Sequence, residues 1–169
     1  MRRISLIAAM AHDRIIGADN AMPWQLPADM HRFRQVTLGK PVIMGRQTYV
    51  SIGQALPQRE NYVLSRDQGF SAAGCHVCHT LDDALFATGE APEVMVIGGA
   101  QIYAEALIHA NYLYLTYIDA ALVGDVRFPQ WRTSEWREVW RESRDADGRN
   151  AYAMTFVNLA RLASPTRPH

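Results

Sequence analysis

Val94-Met95-Val96-Ile97-Gly98-Gly99-Ala100-Gln101-Ile102-Tyr103 decides the fold. Four consecutive apolar residues rich in valine and isoleucine read as a strand buried on both faces. That strand runs straight into a Gly-Gly pair and then a helical pattern over Gln101–Ile108. Both sides of this unit repeat the same alternation. Ile4–Met10 is a continuous apolar strand; a helix over Leu26–Thr37 stops at Gly39 and Pro41; Val42–Gly45 is a strand followed by a helical turn ending near Gly53. Asn61–Ser65 and Cys75–Cys78 are further strands. Thr80-Leu81-Asp82-Asp83 opens a helix with an N-cap threonine and an acid three residues on. Tyr112–Asp119 is the sixth strand.

Strands alternating with helices predict a mainly parallel sheet with right-handed crossovers. After Gly124 the character changes: Trp136–Arg144 and Tyr152–Arg161 are β-rich runs around Asp145-Ala146-Asp147-Gly148, which predicts an antiparallel edge hairpin. The expected architecture is therefore one α/β domain over residues 1–161, with about eight strands and flanking helices. Residues 162–169 lack periodicity and are expected to form a mobile tail. Asp13–Gln25 is expected to be a long loop, a length that in compact domains often serves function.

The chain has 169 residues and equal counts of 17 basic and 17 acidic residues. Zero formal charge argues against broad nucleic-acid binding, which needs a basic surface. No apolar run reaches the roughly 18 residues of a membrane span. Met1-Arg2-Arg3 followed by Ile4–Ala11 imitates a short secretory signal, but the apolar run is short and leads directly into Asp13-Arg14-Ile15-Ile16-Gly17. We read it as a buried first strand and expect a cytoplasmic protein. Cys75-His76-Val77-Cys78-His79 is a literal haem-attachment string. Covalent haem needs export, and a strand would turn Cys75 and Cys78 to opposite faces. No metal or haem site is expected there.

Ala21-Met22-Pro23-Trp24-Gln25-Leu26-Pro27-Ala28-Asp29 carries the first chemical signal. Two prolines stiffen the backbone around a tryptophan, and Pro27 suits a first helical turn. Counting about 100° per residue from Asp29 places Val36 at about −20°, Phe33 at about 40°, Leu26 at about 60° and Met30 at about 100°. Asp29 thus lies inside an apolar stripe, where lost solvation raises a carboxyl pKa. It reads either as a first-turn acid facing the helix dipole or as a proton-handling group in an apolar cleft. Three strands end in glycine or arginine, as Gly45-Arg46, Ser65-Arg66 and Ile97-Gly98-Gly99, where parallel sheets gather ligands. Arg46 and Arg66 at neighbouring strand ends suit a phosphate monoester, or are two solvated arginines.

Five segments in order then carry a family resemblance: Ser5–Ala9, Ile16-Gly17 with Met22–Asp29, Lys40–Arg46, Leu56-Pro57-Gln58-Arg59, and Met95–Gly99. From Ile4 to about Arg161 the chain resembles bacterial dihydrofolate reductases. The resemblance implies hydride transfer from NADPH to carbon 6 of dihydrofolate with protonation at nitrogen 5, in support of one-carbon metabolism, by a monomer that antifolates inhibit. It makes Asp29 the pterin carboxylate, Thr116 its supporting hydroxyl, and Trp24, beside Met22, the holder of an ordered water. Ile7, Met30, Phe33, Ile52, Leu56 and Ile97 would line the substrate, and Arg59 would receive its α-carboxylate. Ala9, Ile16 and Gly17 would meet the nicotinamide, with Tyr103 near the hydride. Gly45, Arg46, Gln47, Thr48, Leu64, Ser65, Arg66, Gly98, Gly99, Gln101 and Ile102 would hold the rest of NADPH. The resemblance also implies a cis Gly98–Gly99 peptide and a mobile loop over Asp13–Gln25.

Three departures stand out. Gln101 and Gln47 replace a frequent arginine and histidine on the cofactor side, and Met30 replaces a frequent leucine. A pyrimidinone reductase of riboflavin synthesis and a non-catalytic NADP(H)-binding protein are the competing readings. Arg59 and the Trp24-to-Asp29 segment favour folate over the first, and an intact Asp29 argues against the second.

Overall fold

The computed structural model describes residues 2–17 and 26–162. Met22, Trp24 and the expected tail beyond Leu162 therefore lie outside the described residues. The chain opens with β1 (Arg3–Met10), a short turn of 3-10 helix at His12–Arg14, and β2 (Ile15–Gly17). Then follow α1 (Pro27–Thr37), β3 (Val42–Gly45), α2 (Arg46–Ile52), β4 (Asn61–Leu64), β5 (Cys75–Cys78) and α3 (Leu81–Ala87). The second half holds β6 (Glu93–Gly98), α4 (Ala100–Leu107), β7 (Tyr112–Ile118), β8 (Val126–Arg127), β9 (Trp136–Arg144) and β10 (Met154–Arg161).

Eight strands make one sheet in the order β5-β4-β3-β6-β1-β7-β10-β9. Pairing is parallel from β5 through β7 and antiparallel on both sides of β10. The apolar strand runs follow from this: β1 sits in the interior with both faces covered, so its side chains alternate between two cores. Leu6, Ala8 and Met10 pack with Leu81, Leu85, Tyr103 and Ala106 of α3 and α4. Ile7 packs on the other face with Val42, Met44, Val63 and Met95, beneath Phe33 and Val36 of α1. Cys75 joins this second core and Cys78 the first, so the two thiols do face apart.

Local signals set several boundaries. The Thr80 hydroxyl accepts the Asp83 N–H at 3.0 Å, capping α3. Gly53 ends α2 at φ 89°, a left-handed value that favours glycine.

Three expectations change. Residues 13–17 are not loop: the Phe128 N–H donates to Arg14 O at 2.8 Å, and β2 pairs antiparallel with β8 as a separate ribbon. Such short strands have too little length to show a period. β10 begins at Met154 rather than Tyr152, because Asp147 and Asn150 fold the connection on itself through backbone and side-chain hydrogen bonds. The stripe of α1 is narrower than the helical count suggests, since Met30 at its edge is 64% exposed.

Candidate active site

The site forms at the carboxyl ends of the parallel strands. Asp29 stands in the first turn of α1, whose entry is fixed by the fully buried Leu26. Thr116 on β7 donates its hydroxyl to Asp29 Oδ1 at 2.7 Å. Thr116 is itself buried and paired on both sides, with Ala9 of β1 and Phe156 of β10. Burial pushes the Asp29 carboxyl above the ordinary aspartate value, and the Thr116 hydrogen bond and the Arg32 charge pull it partly back. The raised pKa expected from the sequence is therefore present, and its largest cause is desolvation.

Asp29, Phe33 and Thr37 succeed one another at i+4 spacing, so they share one face of α1. At the far end of that face the Thr37 hydroxyl donates to Phe33 O at 2.8 Å and accepts from Arg59 Nη1 at 3.0 Å. Arg59 Nε also donates to Pro57 O at 2.8 Å. Eight helical residues span about 12 Å. One helix face thus links a buried carboxylate to an oriented guanidinium across the length of an elongated organic ligand. Ile7 and Ile97 form the buried floor, and Leu56 packs half-buried in the core beneath α1. Ile52 at the end of α2 is exposed, as is Met30.

On the other side of the cleft β4, β3 and β6 are adjacent, as expected for the strands preceding Arg66, Arg46 and Gly98-Gly99. The Gly98–Gly99 peptide is cis, and Gly99 is the N-cap of α4. A Cβ on Gly45 would lie 3.3 Å from Ile102 Cγ1, so the end of β3 and α4 pack closely enough that a side chain there would press on Ile102. Arg46 pairs with Asp67 at 3.4 Å and lies 4.4 Å above the Phe70 ring. Arg66, Gln47 and Gln101 are exposed, whereas Thr48 and Ile102 are half-buried. Leu64 and Ser65 are buried, and the Ser65 hydroxyl accepts the Asp67 N–H at 3.2 Å. Ala9 is buried and Ile16 half-buried, with Gly17 held in the β2–β8 pairing.

Tyr103 from α4 reaches under the floor. Its hydroxyl lies 2.7 Å from Ile7 O and 2.9 Å from Ile97 O, so one proton serves two carbonyls. The β1–β6 register ends at Leu6 and Val96, and the phenol takes up the next carbonyl on each strand. Gly98 has φ 131°, and a Cβ there would sit 3.4 Å from the Tyr103 hydroxyl and 3.5 Å from Thr48 Oγ1. Gly98→Ala is expected to cost about 1–3 kcal/mol from backbone conformation alone. A thermal melt lowered by several degrees checks this, and an unchanged melt would contradict it.

Two charged residues escape sequence reasoning, one beside the site and one at the opposite, amino end of the parallel strands. Arg32 is half-buried behind Asp29, and its only sequence signal is the i+3 spacing on α1. Glu93 precedes the apolar run of β6 and looks like a solvated strand start. Instead it accepts hydrogen bonds from Ser5 at 2.7 Å and Tyr114 at 2.9 Å and pairs with Lys40 at 2.7 Å.

This is the frame of an α/β enzyme whose polar and charged side chains gather over the carboxyl ends of its parallel strands. The sequence pattern of dihydrofolate reductase matches residues 3–161. The dihydrofolate reductase type 3 of Salmonella typhimurium is 53% identical over 94% of this chain and 98% of its own length. The dihydrofolate reductase of Haemophilus influenzae is 46% identical over 93% of this chain and 98% of its own. Among solved structures, the dihydrofolate reductase of Enterococcus faecalis, complexed with NADP(H) and RAB-propyl, superposes with a TM-score of 0.88. It is 29% identical, covering 94% of this chain and 96% of that one. The chain belongs to the dihydrofolate reductase family.

Proposed function

We propose that the protein is an NADPH-dependent dihydrofolate reductase that converts 7,8-dihydrofolate to tetrahydrofolate. The observation that carries this reading is the shared face of α1, with Asp29 held by Thr116 at one end and Arg59 held by Thr37 at the other. A pterin has hydrogen-bond donors on one edge, and a glutamate tail ends in carboxylates. The face matches both, in that order.

Asp29 accepts hydrogen bonds from the pterin amino group and ring nitrogen, and burial pushes its carboxyl above the ordinary aspartate value, which favours proton delivery toward nitrogen 5. Ile7, Ile97, Phe33, Met30, Ile52 and Leu56 supply apolar walls that orient the ring and exclude water. Arg59 receives the α-carboxylate as a forked, charge-assisted pair. NADPH, when bound, supplies the hydride to carbon 6. The residues present fit such a cofactor, because Gly98 and Gly99 bring bare backbone to the amino end of α4 with the Thr48 hydroxyl packed against both, a donor set suited to phosphate. Ala9, Ile16 and Gly17 would meet the nicotinamide end. Thr48, Ser65 and the backbone of Gly98–Gly99 would hold the phosphates, and Arg46 and Arg66 the 2′-phosphate. Trp24 and Met22 belong to this reading through the family pattern. Tyr103 sets the floor by fixing the Ile7 and Ile97 carbonyls, with its hydroxyl kept protonated by burial. Balanced charge fits an enzyme with no nucleic-acid partner, the family pattern supports a cytoplasmic monomer, and no described helix is long and apolar enough to cross a membrane.

The test is oxidation of NADPH by the purified protein with dihydrofolate, with and without methotrexate. Oxidation that depends on dihydrofolate and that methotrexate blocks is expected. A folded protein that binds NADPH but ignores dihydrofolate would overturn the assignment, and turnover of a pyrimidinone would redirect it to riboflavin synthesis. A second expected result concerns cofactor choice. Arg66→Ala should weaken NADPH at least about tenfold more than NADH, the scale of one charge-assisted hydrogen bond. Fluorescence titration with both cofactors measures this, and equal losses would remove Arg66 from 2′-phosphate recognition.

A further inference from the structure

Arg32 lies one helical turn beyond Asp29 on α1, on the flank of the ligand face that turns toward β7 and β10. Its guanidinium is pinned from several directions. Nη2 donates to Asn158 Oδ1 of β10, and Nη1 reaches Leu115 O of β7 at 3.4 Å. The rings of Phe156, Trp140 and Tyr114 surround it at 5.0, 5.4 and 5.9 Å. The Leu115 carbonyl belongs to the peptide that leads into Thr116, whose hydroxyl holds Asp29. Arg32 and Asp29 therefore grip adjacent residues of one strand from one helix. The space around the guanidinium is a cleft of about 530 Å³ between α1 and the β9–β10 hairpin. Nothing in the proposed chemistry uses this charge, yet the fold spends a half-buried arginine on it.

We infer that Arg32 is a positioning residue that acts through Asp29, a fixed positive charge behind the carboxylate that sets the pH range over which the site hands over its proton. The inference rests on the reductase reading for its functional meaning. The other titratable groups around the pair are few, and Tyr112 on β7 interacts with Arg32 along that strand more weakly than Tyr114 does. Tyr114 on β7 and Tyr103 on α4 face it as neutral phenols, their hydroxyls pushed up by burial. Glu142 on β9 faces Arg32 across the cleft, with His31 and Arg144 on the same rim. Arginine stays charged across the working range, so its effect on Asp29 is constant and attractive to the ionised form.

The test compares Arg32→Gln, which keeps hydrogen-bonding capacity and loses the charge, with Arg32→Lys, which keeps the charge. Aspartate carboxyl carbons labelled with ¹³C report protonation directly, and Asp29→Asn assigns the signal without any turnover. The Asp29 midpoint is expected to move to higher pH in Arg32→Gln and to return toward wild type in Arg32→Lys. In single-turnover hydride transfer, the ratio of Arg32→Gln to wild-type rate should climb by about threefold from acid to about pH 8.5, because more enzyme keeps its proton. Asn158→Leu, which unpins the guanidinium but leaves it charged, should move the midpoint less and in the same direction. It also serves if Arg32→Gln does not fold. Coincident midpoints in all variants would overturn the inference, as would a rate loss uniform in pH. Wild-type protein that titrates as expected but fails to oxidise NADPH with dihydrofolate would overturn the reductase reading alone.

Discussion

Asp29→Asn should cut hydride transfer at neutral pH by about a hundredfold or more, the scale of losing a positioned proton donor, while NADPH affinity stays near wild type. The deficit should shrink toward acid pH, where solvent protonates substrate without help. Single-turnover rates across pH check both halves, and wild-type-like rates at neutral pH would exclude Asp29 from the mechanism. The same variant should be more stable than wild type. Burial raises the folded pKa of Asp29 above the ordinary value of 3.8, so the folded state binds more protons than the unfolded state between those two values. Stability therefore falls as pH rises through that window, and the cost persists above it. Asparagine removes the buried charge and can still accept from Thr116. The melting temperature of Asp29→Asn should exceed that of wild type at neutral pH, with the gap closing in acid. This sign is opposite to that of an ordinary paired aspartate.

Arg59→Ala should raise KM for dihydrofolate by about ten- to a hundredfold and leave kcat within about threefold of wild type. A charge-assisted carboxylate pair contributes about 1.5–3 kcal/mol, and the guanidinium sits about a helix-length of 12 Å from the reacting end. Binding lost equally from ground and transition states appears in KM. Steady-state kinetics with dihydrofolate and with a pterin lacking the glutamate tail separate the outcomes. The tail-less substrate should not distinguish variant from wild type, and a large fall in kcat for either substrate would give Arg59 a different role. Thr37 keeps its bond to Phe33 O, so α1 should not loosen when Arg59 is shortened.

The parallel half of the sheet was legible because buried strands and amphipathic helices carry different periods, and because glycine, proline and Thr80 punctuate them. The hairpin was legible for the same reason. The β2–β8 ribbon was not, since two or three residues have no period and their pairing is set by a partner more than a hundred positions away. Asp29 could be placed from α1 alone, by angle. Its partner Thr116 could not: no local feature of β7 marks which threonine will face α1, and only the family pattern named it. Arg32 and Glu93 were hidden for a related reason. Both read locally as solvated charges, and their burial follows from tertiary pairing with Asn158 in one case and with Ser5, Tyr114 and Lys40 in the other.

The strand order also carries a temporal consequence. β10 is the last strand of the sheet in sequence, yet it lies inside it, between β7 and β9. During synthesis on the ribosome, β7 leaves the exit tunnel with one edge bare, and β9 follows with no neighbour at all. Both wait for residues 154–161 before their backbone groups are paired. The threonine that holds the reactive carboxylate rides on one of those waiting strands. A nascent chain can thus assemble most of its cofactor cradle early, but the proton-handling corner is closed only by its final strand.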